Sequence, residues 1–167
     1  MSAPPSSTST ARVASLHLHP AEPGRPLQSV EAIEAVAGKG ILGEPRYFGK
    51  ISSHTGGPSR RQLSLIEREQ LAGHAVALGL PSLAPGAVRA NVETLDVNLI
   101  QLLGQKVQIG QAILFLYEPR RPCEKMDAVC AGLRERMQNN RQGVLVEIIR
   151  TGTIRVGDTI AVMPAEK

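Results

Sequence analysis

Short apolar runs, most of them four to eight residues long as β-strands are, recur along this chain and are each stopped by glycine or proline, which commits it to a fold dominated by strands. Residues 12–19 read as the first, with Leu16 and Leu18 on one face, His17 and His19 on the other, and Pro20 and the turn-forming residues 22–24 ending it. Residues 30–37 form a more ambiguous apolar run. Residues 61–65 read as a short strand running into a helix, because Ser64 and Glu67 have capping-box spacing ahead of Leu71, Ala75 and Leu78. Residues 88–94, 106–109 and 112–117 are strand-like, and 99–103 is an apolar turn or short helix. A second helix follows Pro122 and Cys123, with Met126, Val129, Cys130, Leu133 and Met137 forming one apolar stripe as far as Asn139 and Asn140. Residues 144–149 and 153–162 close the chain as strands. About seven strands and two helices result, without internal repeat and without a glycine-rich strand-to-helix nucleotide loop. The expected fold is mainly β with peripheral helices (α+β), a mixed-strand β-barrel whose ends the helices plug.

Two Phe, two Tyr and no Trp leave the core to Leu, Ile, Val and Ala. With 167 residues there is room for one such core. Residues 11–167 are expected to form a single domain behind a disordered Pro/Ser/Thr-rich tail, 1–10. No stretch of about 18 apolar residues and no signal-like opening segment is present, so a cytoplasmic protein without membrane association is expected. The excess of four basic residues raises a nucleic-acid reading, but a chain that is 2% aromatic has almost nothing on which to stack bases.

Two cysteines seven residues apart form neither a CxxC pair nor a disulfide framework. Cys123 stands between Arg120, Arg121 and Lys125, at the start of the expected helix, where backbone N–H groups and positive charge favour a thiolate. Cys130 lies on the apolar stripe and reads as core. Among the histidines, His74 falls on the solvated side of its helix, and His17 with His19 reads as a surface HxH pair rather than a metal site. His54, in a glycine-rich loop beside Arg60 and Arg61, is a candidate partner for the thiol. Anion binding has wider support, because Lys39 and Arg46 flank glycines in one loop, Arg60 and Arg61 follow Gly56 and Gly57, and Arg89 and Asn91 share a strand.

At these residues the sequence resembles the MOSC family, the domain named after the C-terminal part of molybdenum-cofactor sulfurase, as a small stand-alone member. The resemblance spans residues 11–164. It rests on the glycine-rich segment 40–49, the strand-to-helix segment 61–67, the arginine-x-asparagine strand at Arg89 and Asn91, the pair Pro122 and Cys123, and the closing segments 140–143 and 152–158. It departs from the family at Pro45, Ala90 and Arg120, the last replacing a cysteine that many small members carry.

The resemblance implies a β-barrel that binds the molybdenum cofactor (molybdopterin), with Cys123 as catalytic thiolate ligating molybdenum, a soft ligand on a redox metal. Arg46, Arg89 and Asn91 would hold the pterin phosphate, with Lys39, Arg60, Arg61 and His54 as further contacts. It also implies an oxidoreductase acting on N-hydroxylated or related small substrates. Haem, flavin and iron–sulfur motifs are not visible, so electrons would come from separate donor proteins. The alternative is a non-catalytic carrier or insertion module, holding the cofactor or a persulfide sulfur for a sulfurase or other partner enzyme. Some family members are fused to pyridoxal-phosphate-dependent sulfurases, hence an association with pyridoxal phosphate, though 167 residues leave no room for such a domain.

Overall fold

Aliphatic residues at alternate positions, interrupted by turns, carry the chain into a succession of short strands. In the computed structural model, which describes residues 10–45 and 47–164, these are β1 (Arg12–Leu18), β2 (Gln28–Val30), β3 (Ala32–Val36), β4 (Gly40–Ile41), β5 (Leu63–Glu67), β6 (Val92–Leu95), β7 (Lys106–Ile109), β8 (Ala112–Pro119), β9 (Val144–Arg150), β10 (Gly152–Arg155) and β11 (Ile160–Val162). The helices are α1 (Arg68–Ala77), α2 (Lys125–Val129) and α3 (Leu133–Arg136), with a 3-10 turn at Ile100–Leu102. The expected tail lies outside the described residues except for Thr10.

Eight strands form one sheet in the order β11-β7-β8-β9-β5-β6-β1-β2, and β10-β3-β4 form a second. Neighbours run antiparallel except β5 and β6, where Leu65 lies opposite Val92 in parallel register. The intervening α1 supplies the crossover that a parallel pair requires. The strands are mixed, as expected, but the closed barrel is not formed. A closing strand would need the edge of β1 that faces away from β6, and β2 occupies that edge from Leu16 to Leu18. Only the first residues of β1 are left. There Arg12 makes one isolated bridge to Thr159, and the Val13 N–H donates to the Asp158 carbonyl at 2.9 Å. The two ends of the sheet therefore touch without forming a ladder.

The core is aliphatic. Leu16, Leu65, Val92, Ile109, Leu114, Leu116 and Val146 are wholly buried, and no Phe or Tyr joins them. Each large side chain of this kind contributes about 1.5–3 kcal/mol on burial. A smaller cluster of Ile66, Leu71, Val88, Ala90, Met126, Leu133 and Met137 ties the helices to the back of β5 and to the segment before β6. Cys130 packs half-buried against that cluster.

Two expected helices differ from the pattern. Ser64 does not cap α1; it lies inside β5, and the Glu67 Oε1 accepts the Leu99 N–H at 2.9 Å instead of reaching back to Ser64. Parallel pairing with β6 has taken the residues that the capping box had assigned to the helix start. The second helix is two short ones, because Gly132 sits at φ +89, a left-handed conformation that glycine adopts without a Cβ penalty. Met126, Leu133 and Met137 still turn inward, whereas Val129 is exposed. Among the described residues no helix is long and apolar enough to cross a membrane.

His74 is buried in α1, 1% exposed, rather than solvated. Its Nε2 donates to the Arg141 carbonyl at 2.8 Å, while its Nδ1 is buried without a partner. Burial therefore lowers its pKa below the ordinary 6.5, against the opposing pull of the Arg141 carbonyl. The unfolded chain takes up this proton near pH 6.5 and the folded chain only at lower pH, so the contribution is complete above 6.5 and is lost as pH falls below it. Burial raises the Glu67 carboxyl above 4.5, which gives the opposite slope from that pH upward. Comparison with His74→Gln isolates the histidine. Between about pH 7 and about pH 5 the urea midpoint of the wild type should fall faster than that of the variant, and parallel curves would exclude this role.

Candidate functional site

A polar cluster of residues comes together where β1 ends, β5 begins and β6 is about to start. Here a cavity of about 20 Å³ is lined by His19, Glu44, Tyr47, Arg61, Gln62, Ser64, Arg89 and Asn91, with Leu63 and Leu145 as its apolar wall. The space within it is that of a water-sized group, and it opens to solvent.

Its floor is a connected hydrogen-bond network around Glu44, which is 1% exposed. The Glu44 Oε2 accepts from the His19 backbone N–H at 2.6 Å, from His19 Nδ1 at 2.7 Å and from Asn91 Nδ2 at 3.0 Å. This acceptor fixes the His19 proton on Nδ1 and leaves Nε2 as the ring's basic atom. Asn91 links three elements, donating from Nδ2 to the His17 carbonyl at 3.1 Å and accepting the Ser64 N–H on Oδ1 at 3.1 Å. Its own N–H donates to Ser64 Oγ at 3.1 Å. The Tyr47 ring meets His19 edge-on at 4.8 Å.

Arginines supply the charge around this floor. Arg89 stands in a left-handed turn, φ 65, instead of in a strand. Such a backbone is unfavourable for a residue with a Cβ and is found where surrounding structure over-determines it. Its N–H donates to the Gly86 carbonyl at 3.0 Å and its Nη1 to the Arg25 carbonyl at 2.9 Å. Arg61 is exposed, its guanidinium 6.0 Å from the Tyr47 ring.

Arg120, immediately after β8, is 8% exposed. Its Nη2 donates to the Arg89 carbonyl at 3.3 Å and its N–H to the Gly143 carbonyl at 2.9 Å. Its Nη1 is buried with no partner. Burial, then repulsion from Arg61, pushes the Arg120 pKa down to about 10, while Cys123 and Tyr47 pull it upward and Arg89 adds repulsion. Gly143 can lie this close because it has no side chain: at φ +77 a Cβ would collide with the Leu65 carbonyl and stand 2.9 Å from Ile66 Cα.

Arg61, Arg89 and Asn91 are thus the sequence-derived candidates that the fold gathers at the cavity. Cys123 is exposed and stands just before a helix, as expected, but that helix, α2, has five residues instead of running on to Asn139. It does not line the cavity, yet its effect on Arg120 puts it in the same electrostatic neighbourhood. Three candidates lie elsewhere. Lys39 is exposed above Phe48, its Nζ 6.0 Å from the ring. Arg60 donates from Nε to Glu147 Oε2 at 3.1 Å and stacks 4.3 Å from the Tyr117 ring. His54 is exposed in a loop, its N–H on Ser52 Oγ at 3.2 Å. Arg46 lies outside the described residues.

The HxH pair is a correction: His17 and His19 are buried, not on the surface. Among the described residues no three of His, Cys, Asp and Glu gather in a metal-holding group. The described cavity lining also contains no lysine, the residue with which pyridoxal phosphate condenses, and the association with that cofactor finds no support.

Residues 51–161 match the sequence model of the MOSC domain. No curated protein matches the chain. Among solved structures, the YuaD protein from Bacillus subtilis is similar with a TM-score of 0.75 at 19% identity, over 93% of this chain and 97% of that one. YiiM from Geobacillus stearothermophilus gives 0.68 at 16% identity, over 92% of this chain and 75% of its own. YiiM from Escherichia coli gives 0.64 at 18%, over 94% and 70%. At such identities the likeness is one of fold.

Proposed function

The chain belongs to the MOSC domain family, and from that premise we propose that it binds a molybdenum cofactor at the mouth of the cavity, as an oxidoreductase reducing N-hydroxylated or related small substrates. The observation that carries this reading is the convergence of Arg61 and Arg89, neither with an acidic partner among the described residues, on a buried Arg120 that bonds the Arg89 carbonyl and lies in the electrostatic reach of Cys123.

The donor set fits the group. Guanidinium forks match a phosphate, and a lone accessible thiol suits a soft metal that arrives with its other ligands already attached. When bound, the cofactor supplies two-electron redox chemistry. The chain's own residues do the rest. Cys123 holds the metal through Sγ, while Arg61 and Arg89 hold the phosphate end at the rim. Asn91 and Ser64 fix the floor. Reduction of an N-hydroxyl group consumes protons, and His19, oriented by Glu44, offers Nε2 as the atom that carries one. Electrons come from separate donor proteins, and the reaction belongs to the cytoplasm.

The exposure of Cys123 favours a second reading, a carrier that hands the cofactor or a persulfide sulfur to a partner enzyme. Protein produced in a cofactor-competent host should contain about one molybdenum per chain, with matching pterin fluorescence. It should then oxidise a reduced electron partner in the presence of an N-hydroxylated substrate. Loaded protein that never turns over supports the carrier, and protein without molybdenum or pterin removes both readings.

A further inference from the structure

Residues 38–61, which carry the chain from β3 through β4 to β5, have two sides. The inner side is the cavity wall, with Glu44, Tyr47 and Arg61. The outer side is cationic. Lys39 and Lys50 are exposed there, and the Gly49 N–H donates to the Lys39 carbonyl at 2.9 Å, which lays the two lysine-bearing stretches alongside each other. Neither lysine makes an ion pair among the described residues. The segment's one carboxylate, Glu44, is buried on the inner side. Those that neighbouring strands bring to it are taken, Glu34 by Thr153 Oγ1 and Glu147 by Arg60. Two exposed aliphatic side chains belong to the same segment, Leu42 at 58% and Ile51 at 66%. Residues 50–59 form a hairpin closed on itself: the Ser59 N–H donates to the Lys50 carbonyl at 2.9 Å, the Ser52 N–H to the Gly57 carbonyl at 2.8 Å, and Ser52 Oγ accepts the His54 and Thr55 N–H groups. Arg60 pins its base to Glu147 and Tyr117. Lys50 and Ile51 are thus presented on an ordered scaffold, and docking there costs little chain ordering.

From this we infer that the outer side of residues 38–61 is a docking surface for the acidic face of a partner protein, and that this partner is the electron donor of the proposed reaction. The inference rests on that reading for the partner's role, but not for the chemistry of the surface. Unpaired cations beside exposed aliphatic groups are the composition of a protein interface, the aliphatic groups giving up water and the charges steering the encounter. A nucleic acid needs more. Phe48, the segment's aromatic residue outside the cavity lining, is faced by the Lys39 Nζ at 6.0 Å and leaves no bare ring on which a base could stack. A donor seated on this surface is separated from the cavity by the segment alone.

The test is isothermal titration of a [2Fe–2S] ferredoxin of acidic net charge into the full-length, metal-free protein at low ionic strength. Saturable binding is expected, with a dissociation constant that rises at least about tenfold between about 20 mM and about 200 mM salt. Reversing both charges, Lys39→Glu with Lys50→Glu, should raise it at least about tenfold at low salt. Ile51→Ala should raise it at least about threefold and leave the urea midpoint unchanged, since that side chain is exposed in the free protein. Arg134→Glu, a charge reversal on α3, should change it less than about twofold. No saturable binding by the wild type overturns the inference, as does equal weakening by Arg134→Glu, which would reduce the effect to net charge. Tighter binding of polyuridylate RNA, with the same dependence on Lys39 and Lys50, would give the surface to nucleic acid and overturn it likewise. In molybdenum-loaded protein the double variant should raise the KM for reduced ferredoxin and leave kcat with dithionite unchanged; an unchanged KM overturns the donor assignment. Failure of the cofactor reading shows instead as absent molybdenum, with ferredoxin binding and its dependence on the two lysines intact.

Discussion

Asn91→Ala should lower the free energy of unfolding by about 3–4 kcal/mol, the cost of leaving several buried polar groups unpaired. Asn91 is 3% exposed and serves three segments at once. Truncation strips the Ser64 N–H of its acceptor and the His17 carbonyl of a donor, and it removes one of the hydrogen bonds that make a buried Glu44 carboxylate tolerable. Urea denaturation gives the number. Coupling between Asn91→Ala and Ser64→Ala should exceed about 0.5 kcal/mol, because Ser64 Oγ donates to Asn91 Oδ1 and each side chain also accepts the other residue's backbone N–H. A single-variant loss below about 1 kcal/mol with no coupling would mean that the network is loose, and that the cavity floor does not hold His19 in place.

The same network explains what the sequence could and could not disclose. Strand positions followed from apolar alternation, and the scarcity of aromatic residues foretold the aliphatic core. Arg61, Arg89 and Asn91 could be picked out because they sit in short segments with a recognisable order of residue types. His19 could not. Alternation puts His17 and His19 opposite Leu16, which reads as a solvent face only if one side of the strand is wet. The partner that buries His19, Glu44, comes from a loop 25 residues away, and no local pattern carries such a pairing.

Arg120 was hidden for another reason. Ala112, Leu114 and Leu116 are buried in alternation, and continuing that parity reaches Arg120, but the register of β8 against β9 shifts between Leu116 and Glu118. Glu118 is exposed, and the count no longer predicts what lies inside. The capping box failed because S-x-x-E spacing is compatible with a strand whenever a neighbouring strand supplies better hydrogen bonds. Closure of the barrel failed because β2, three residues of which only Val30 belongs to the ambiguous run 30–37, took the edge of β1.

Cys123→Ala should reduce the molybdenum content of protein made in a cofactor-competent host at least about tenfold, since losing a first ligand costs no less than losing a supporting one. The side chain is exposed, so the substitution should change stability by less than about 0.5 kcal/mol, and metal loss would not be a by-product of unfolding. Cys130→Ala is the matched control: its thiol is half-buried against Met126 and Leu133, on the apolar side of the helices. That variant should retain the metal even if it is somewhat less stable. Cys123→Ser tests the chemistry itself, because a hydroxyl of nearly the same size is a harder, rarely ionised ligand and should retain little more molybdenum than alanine. Stoichiometric metal in Cys123→Ala would move the ligand elsewhere. Metal lost in both Cys123 variants but not in Cys130→Ala would join the thiol to the arginine-lined cavity as two parts of one site, the exposed thiol taking the metal and the guanidiniums the anionic end.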